Sequence, residues 1–260
     1  MRGLCLLLAL CASPLAAKPV EVDLELVLAV DISQSMHFPE LMLQRRGYAA
    51  ALMSDEVLTA IRSGALGRIG LAYVEWSDVD QQRVLVNWTV IDGRDAAAAF
   101  GATIVAETGG TQRETSISAG LMFASAMFDA SPFTSWRHVI DISGDGPNNN
   151  GAPVEPARDA VLARGITING LPVMIGSDPV WRLSDLDLYY HDCVIGGPGA
   201  FVLPVEGLER FAEAVQRKLV LEIAGGEPGP WPARLIPAAG YDCLVGEKIR
   251  EDRKKNRPKN

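Results

Sequence analysis

A nearly continuous apolar stretch runs from Leu24 to Val30 and ends in an acid and two hydroxyl residues. A Val- and Leu-rich run of this kind is typical of a strand buried on both faces, as in a parallel sheet covered by helices. The side chains that follow it, Asp31, Ser33 and Ser35, all carry oxygen donors. Ligand sites of open α/β sheets form just outside the carboxyl ends of the strands, so this position is the first candidate for a functional site.

Strands and helices alternate along the rest of the chain, as their periodicities indicate. Apolar runs predict strands over residues 68–76, 83–90, 136–142, 166–175 and 200–203, the first two of them as an antiparallel hairpin. Helical spacing predicts one long helix from Pro39 to about Gly64 and further helices over residues 92–107, 115–128, 154–164, 183–190 (short) and 207–223. This alternation predicts an α/β domain with a mainly parallel sheet covered on both faces.

The N-terminal residues 1–17 have the pattern of a secretory signal peptide, in which Arg2 precedes an apolar segment and small residues lead to Ala17. A lipoprotein signal ending at Cys11 is the alternative, and it is less favoured because bulky Leu10 precedes that cysteine. We expect an exported protein, periplasmic or secreted. No later stretch is long and apolar enough for a transmembrane segment.

Removal of the signal peptide on export would change the net charge and the number of cysteines. Removing Arg2 leaves 23 of the 24 basic residues against 32 acidic ones, a net charge of −9, which argues against nucleic acid as a partner. Cys5 and Cys11 leave with the signal peptide, so Cys193 and Cys243 remain. In an oxidising compartment these two either form a disulfide or stay as buried thiols.

Residues 18–224 are predicted to form the single folded domain. Residues 225–260 are predicted to hold a Pro/Gly linker, which begins with Gly225–Pro232, and a basic C-terminal tail. Charge runs of this kind are usually solvated, so we expect Glu247–Asn260 to be poorly ordered.

Oxygen donors recur at three places that an α/β sheet would bring together. Asp31, Ser33 and Ser35 follow the first strand, Thr115 begins a helix after a Gly-rich turn, and Asp145 follows a later strand. Carboxylates and hydroxyls suit a hard divalent cation, Mg²⁺ or else Mn²⁺ or Ca²⁺. Two carboxylates neutralise such an ion without saturating it, so the ion can still accept a carboxylate from outside.

These residues resemble the metal-ion-dependent adhesion site (MIDAS) of von Willebrand factor A (vWA) domains. The stretch from Asp31 to Ser35 matches its Asp-x-Ser-x-Ser motif. Asp145 and the glycine after it resemble the third loop of the site, which usually reads Thr-Asp-Gly, with Gly144 here in place of the Thr.

The second loop of the site has two possible assignments. Thr115 begins a helix that is similar to the Thr-x-Ile-x-x-Ala-Leu pattern of the family, with Leu121 at its end. Thr111 is the competing assignment, because that loop often reads Gly-Gly-Thr. We prefer Thr115, since the helical apolar pattern starts immediately after it.

The resemblance extends from Val22 to Ala224 and is closest to an uncharacterised family of exported bacterial proteins with this domain. It implies a three-layer, Rossmann-like α/β fold with a mostly parallel central sheet, one antiparallel edge strand and helices on both faces. It also implies that a divalent cation is held, directly or through water, by Asp31, Ser33, Ser35, Thr115 and Asp145.

The function that follows is metal-dependent protein binding, in which an acidic side chain of a partner completes the coordination of the ion. No catalytic residue is expected, so the protein is not expected to be an enzyme. One alternative is a scaffold whose metal site is vestigial or structural, with Asp31 and the serines capping the next helix. A Mg²⁺-dependent phosphohydrolase is less favoured, because Ser33 stands where such enzymes usually carry a second Asp.

Overall fold

The computed structural model of this chain describes residues 18–33, 38–111, 114–174, 183–226 and 240–256. The strands are β1 (Val20–Glu21), β2 (Glu25–Asp31), β3 (Ile69–Trp76), β4 (Gln82–Ile91), β5 (Phe133–Thr134), β6 (His138–Gly144) and β7 (Thr167–Pro172). The α-helices are α1 (Phe38–Leu52), α2 (Asp55–Arg62), α3 (Arg94–Ala106), α4 (Ile117–Met127), α5 (Val154–Leu162), α6 (Leu186–Tyr189), α7 (Phe211–Ala224) and α8 (Val245–Lys255). Two 3₁₀ turns (Phe128–Ala130 and Leu208–Arg210) and a π-helical turn (Tyr190–Val194) complete the elements.

A five-stranded sheet with the order β4-β3-β2-β6-β7 forms the centre of the domain. β2 runs parallel to both of its neighbours, β3 and β6, and β7 runs parallel to β6. Only β4, at one edge of this sheet, is antiparallel, which confirms the predicted hairpin with β3. Strands β1 and β5 form a separate two-stranded parallel ribbon.

Each face of the sheet has its own apolar core, because successive side chains of a strand point to opposite faces. Leu26, Leu28 and Val30 of β2 pack with α1, α2, α3 and α7 on one face. Val27 and Ala29 pack with α4, α5 and residues 186–194 on the other. The predicted three-layer α/β architecture is therefore confirmed.

Buried ion pairs fix the elements around the sheet. The Arg45 guanidinium binds both carboxylate oxygens of Glu75, at 2.7 and 3.0 Å. It also donates to the carbonyls of Glu107 and Gly109, at 2.9 and 3.2 Å. One fully buried arginine thus connects α1, β3 and the segment that leads towards Thr115. Apolar periodicity gives no signal for such a contact.

Two predicted elements differ from the observed ones. The long helix is two helices, because the chain turns at Met53 and Ser54 and the Ser54 side chain caps α2, accepting a hydrogen bond from Val57 N at 3.3 Å. The strand over 200–203 is reduced to an isolated bridge between Val202 and Gly170.

The C-terminal residues depart most from expectation. The tail predicted to be poorly ordered contains α8, and Cys243 just before that helix forms a disulfide with Cys193, with a Cα–Cα distance of 5.5 Å. The predicted signal peptide (1–17) and most of the predicted Pro/Gly linker (227–232) lie outside the described residues, as do residues 233–239. Within the described part of the chain, no helix is both long and apolar enough to cross a membrane.

Candidate metal centre

Asp31 is the last residue of β2 and is fully buried at the carboxyl edge of the sheet. Its carboxylate accepts hydrogen bonds from the backbone N–H of Ser33 at 2.7 Å and from the Ser33 hydroxyl at 2.9 Å. Its backbone carbonyl accepts from Gln44 of α1 at 3.2 Å. The predicted pair Asp31 and Ser33 is therefore in contact, and α1 holds the strand end in place.

Asp145 lies next to Asp31 because β2 and β6 are neighbours in the sheet, with Val30 opposite Ser143. The backbone N–H of Asp145 donates to the Asp31 carboxylate. Burial raises the pKa of Asp31 well above its usual range, and the negative charge of Asp145 raises it further, against the hydrogen bonds from Ser33. Two acids are thus brought together, each at most 4% exposed.

Thr115 lies just before α4 and is 4% exposed. The loop after Asp145 holds its backbone on both sides: Thr115 N donates to the side chain of Asn149 at 3.0 Å, and Thr115 O accepts from the backbone N–H groups of Asn149 and Asn150 at 2.9 and 3.2 Å. Ser116 caps α4, accepting a hydrogen bond from Ala119 N. The structure therefore places Thr115 against the Asp145 loop.

Asn148 adds hydrogen bonds between the loop after Asp145 and the start of α4. Its side-chain oxygen accepts from Ser118 N at 3.1 Å, and its side-chain nitrogen donates to Ala152 O at 3.0 Å and to Glu247 of α8 at 2.7 Å. Residues 148–150 are not among the site residues predicted from the sequence. Three consecutive asparagines, separated from Asp145-Gly146 only by Pro147, were the available signal, since amide side chains can both donate and accept.

Of the two remaining candidate ligands, Ser35 and Thr111, the structure describes only Thr111. Ser35 lies outside the described residues. Thr111, the competing assignment for the second loop, is half-buried and precedes residues 112–113, which also lie outside them. Among the described residues, no group of three or more His, Cys, Asp or Glu side chains is placed to hold a metal ion. A site here would depend on two carboxylates and several hydroxyls.

The donors that are in place fit a hard cation. Asp31, Asp145, Ser33 and Thr115 offer oxygen atoms only, as Mg²⁺ and Ca²⁺ require. A divalent cation between the two buried carboxylates would offset the repulsion that raises the pKa of Asp31.

Sequence comparison finds one family. A family model with the description "Protein of unknown function (DUF1194)" matches residues 21–227. None of the curated proteins searched matches the chain in sequence.

Solved structures share the fold at low sequence identity. Proximal thread matrix protein 1 from the mussel byssus, in a form with a zinc-occupied MIDAS motif, aligns with 80% of this chain and 49% of its own, with a TM-score of 0.58 and 16% identity. The pilus adhesin SpaC from Lactobacillus rhamnosus GG aligns with 80% of this chain and 30% of its own, with a TM-score of 0.57 and 13% identity.

A von Willebrand factor type A structure from Catenulispora acidiphila aligns with 78% of this chain and 43% of its own, with a TM-score of 0.54 and 15% identity. This chain spans less than half the length of each of these three proteins. At these identities the likeness shows the fold alone, and that fold is the vWA fold.

Proposed function

The chain belongs to the DUF1194 family, and from this premise we propose that its vWA-like domain is an exported, metal-dependent protein-binding module. A divalent cation, Mg²⁺ or else Mn²⁺ or Ca²⁺, is held at the carboxyl edge of the sheet. An acidic side chain of a partner protein completes its coordination. The ligands proposed are Asp31, Ser33, Ser35, Thr115 and Asp145.

The observation that carries this proposal is the buried acid pair at the sheet edge. Asp31 is fully buried, and the largest charge acting on it is the negative charge of Asp145. Burying two like charges together is costly unless a positive charge compensates them. Such arrangements are typical of functional sites, where a bound cation supplies the compensation.

The proposed ligands are of two kinds, charged carboxylates and neutral hydroxyl groups. Asp31 and Asp145 supply two negative charges, which balance a dication, while Ser33 and Thr115 add neutral oxygen atoms. Because the proposed ligand set contains no third carboxylate, the ion stays electrophilic enough to attract an anionic group. The asparagines at 148–150 hold the two loops at a fixed separation through the hydrogen bonds described above.

The leading alternative is a scaffold in which the site is vestigial or only stabilises the fold. In that case the same carboxylates would cap local backbone groups, as Asp31 does for Ser33 N. A Mg²⁺-dependent phosphohydrolase remains the weaker alternative. No enzyme is among the three similar structures compared, whose descriptions name a pilus adhesin, a matrix protein and a vWA protein.

Calorimetric titration of Mg²⁺ and Mn²⁺ into the chelator-treated protein separates these possibilities. We expect saturable binding that is lost in Asp31→Ala, in a variant that still folds because apolar residues build the sheet. Asp80→Ala is the matched control, since this exposed carboxylate lies in the β3–β4 turn at the same edge. An Asp31→Ala protein that fails to fold would favour the scaffold reading.

The open coordination position can be probed separately with Mn²⁺. Bound Mn²⁺ that keeps an exchangeable water enhances the relaxation of solvent protons, and a carboxylate that displaces this water lowers the enhancement. We expect acetate and a Glu-containing peptide to lower it, and the same peptide with Gln to leave it unchanged. Hydrolysis of an aryl phosphate that requires Mg²⁺ and Asp31 would instead support the phosphohydrolase.

A further inference from the structure

Position 144 departs from the motif that the rest of the site resembles. Gly144 ends β6, directly before Asp145, where the family usually has a threonine. A Cβ atom at this position would lie 2.8 Å from Tyr190 Oη and 2.9 Å from Asp31 Oδ2. Both distances are too short for a side chain to be added without a shift, so the phenol hydroxyl of Tyr190 occupies the space that a residue-144 side chain would need.

The Tyr190 ring lies in a slot that two glycines make. Gly170, on the neighbouring strand β7, would place a Cβ atom 2.8 Å from Tyr190 Cδ1. Gly170 lies opposite Ile142 in the β6–β7 register, and Gly144 is two residues beyond Ile142 on the same strand. Residues two apart on a strand share a face of the sheet, so the two glycines lie close together. The absence of side chains at 144 and 170 is what allows an aromatic ring to reach the strand end.

The segment that carries Tyr190 is fixed on its other side. Tyr190 begins the π-helical turn Tyr190–Val194, and such turns are frequent at functional sites. Cys193 in the same turn is joined to Cys243. The edge of the Tyr190 ring also packs against Tyr189, with 6.2 Å between the ring centroids. The phenol therefore has little freedom to turn away from the strand end.

Within the described part of the chain, the Tyr190 hydroxyl has no hydrogen-bond partner. Its side chain is fully buried, and among the described residues no atom makes a hydrogen bond with Tyr190 Oη. A buried hydroxyl without a partner is unfavourable, so its retention calls for an explanation. A tyrosine hydroxyl carries its proton at neutral pH and can therefore donate a hydrogen bond.

We propose that Tyr190 is a positioning residue of the metal centre, whose hydroxyl replaces the threonine hydroxyl that position 144 lacks. It is a hydrogen-bond donor to the oxygen atoms around the cation, either the Asp31 carboxylate or a water on the ion. Donors of this kind orient the ligands of a metal, and their loss typically weakens binding by roughly 10- to 100-fold. This inference rests on the proposed function, since it assumes that a cation binds between Asp31 and Asp145.

The test compares Tyr190→Phe with Tyr73→Phe. Tyr73 is also fully buried, and its hydroxyl likewise makes no hydrogen bond within the described residues, but it packs on the other face of the sheet against Tyr48. Calorimetric titration with Mg²⁺ and Mn²⁺ should show binding weakened roughly 10- to 100-fold in Tyr190→Phe and unchanged in Tyr73→Phe. In chelator, neither variant should unfold more easily than the wild type, since each loses only an unpartnered hydroxyl.

A spectroscopic measurement covers the case in which Tyr190→Phe does not fold. Metal binding should perturb the tyrosine ultraviolet absorption of the wild type and of Tyr73→Phe alike, a result that needs no Tyr190 variant. A wild type that binds metal without any tyrosine perturbation would overturn the inference. A Tyr190→Phe protein that binds metal as tightly as the wild type would also overturn it, yet both results leave the proposed function standing.

A rescue experiment tests the equivalence of the two hydroxyls. Removing the Tyr190 hydroxyl relieves one of the two close approaches at position 144, and the other is to Asp31 Oδ2, at the far end of a side chain that can shift. Gly144→Ser in the Tyr190→Phe background should therefore regain part of the lost affinity. Failure of this double variant to bind better than Tyr190→Phe would count against the replacement. If the wild type itself binds neither Mg²⁺ nor Mn²⁺, the proposed function fails, and the role of Tyr190 fails with it.

Discussion

Among the described residues, the buried acidic side chains of Asp141 and Glu222 have different surroundings from those of Asp31 and Asp145. Asp141 and Glu222 share the ammonium group of the fully buried Lys218, which lies 2.6 Å from Asp141. For Asp31, in contrast, the largest charge nearby is that of Asp145. The first pair therefore has a cation between its carboxylates, whereas in the second pair the negative charge of Asp145 raises the pKa of Asp31.

Glu222 gives a pH dependence that can be measured. Burial raises its pKa from 4.5 to about 7, and the charge of Asp141 contributes to this shift. Between these values the folded chain binds more protons than the unfolded chain, so the stability contributed by this group falls as the pH rises from about 4.5 to 7. The loss is at most about 3–4 kcal/mol, at roughly 1.4 kcal/mol per unit of pKa.

Glu222→Gln should remove this dependence, because the amide cannot ionise. Its oxygen can still accept from Asn169, which lies 3.0 Å from Glu222 Oε1. We expect the free energy of unfolding of the variant, measured by urea denaturation, to increase relative to that of the wild type as the pH rises from 5 to 8. If the free energy of unfolding of the wild type instead increases relative to that of the variant over this range, the raised pKa of Glu222 is contradicted.

The break between α1 and α2 shows how one side chain ends an apparently continuous helix. Ser54 turns its hydroxyl to the free N–H of Val57, which starts α2 in a new direction. Ser54→Ala should therefore lower the free energy of unfolding by about 1 kcal/mol. Ser63→Ala is the control, since this exposed serine at the other end of α2 only donates to the Thr59 carbonyl. Equal losses in the two variants would show that the N-cap has no special role.

Apolar patterns located most of the elements, because burial on both faces needs uninterrupted apolar runs. The strand predicted over 68–76 is Ile69–Trp76, and the one predicted over 83–90 is Gln82–Ile91. The helix break was missed because Leu52 and Val57 continue the helical spacing across Ser54. Elements that tertiary contacts hold in place, such as the π-helical turn at 190–194 and α8, have no comparable periodicity.

In the candidate site, too, local sequence patterns predict some residues, whereas others are placed only by tertiary contacts. Motif spacing pointed to Asp31 and Asp145, and the neighbouring strands β2 and β6 bring those two residues together. Tyr190 is 45 residues beyond Asp145, and its place beside Gly144 depends on a slot between two strands. No local pattern reveals such a contact, and the pairing of Cys193 with Cys243 was likewise left open by spacing alone.

The C-terminal residues 240–256 brace the loops of the candidate site from outside. Glu247 accepts from Asn148 at 2.7 Å, and Arg250 donates to Asn150 and lies 3.6 Å from Glu114. Gly246 packs so closely against Asn148 O that no side chain fits there. Both candidate metal loops, around residues 115 and 148, are thus in contact with this segment.

Breaking the Cys193–Cys243 disulfide should therefore weaken the domain as a unit. The bond closes a loop of 50 residues, and its removal in Cys193→Ala/Cys243→Ala should lower the free energy of unfolding by about 2–4 kcal/mol. Amide hydrogen exchange should show the largest loss of protection in residues 148–150 and in α8. The double variant should be insensitive to reductant, whereas the wild type should fall to its stability on reduction.

The segment that braces the site lies beyond the residues by which the family is recognised, which end at residue 227. It is nevertheless joined covalently to the π-helical turn through Cys193, and it contacts the loop after Asp145 through a glycine packed against backbone and two charged side chains. The unit that sequence similarity detects is therefore shorter than the unit that folds. A recombinant fragment cut at the family boundary would keep every predicted metal ligand yet lose the external support of the loops that carry them.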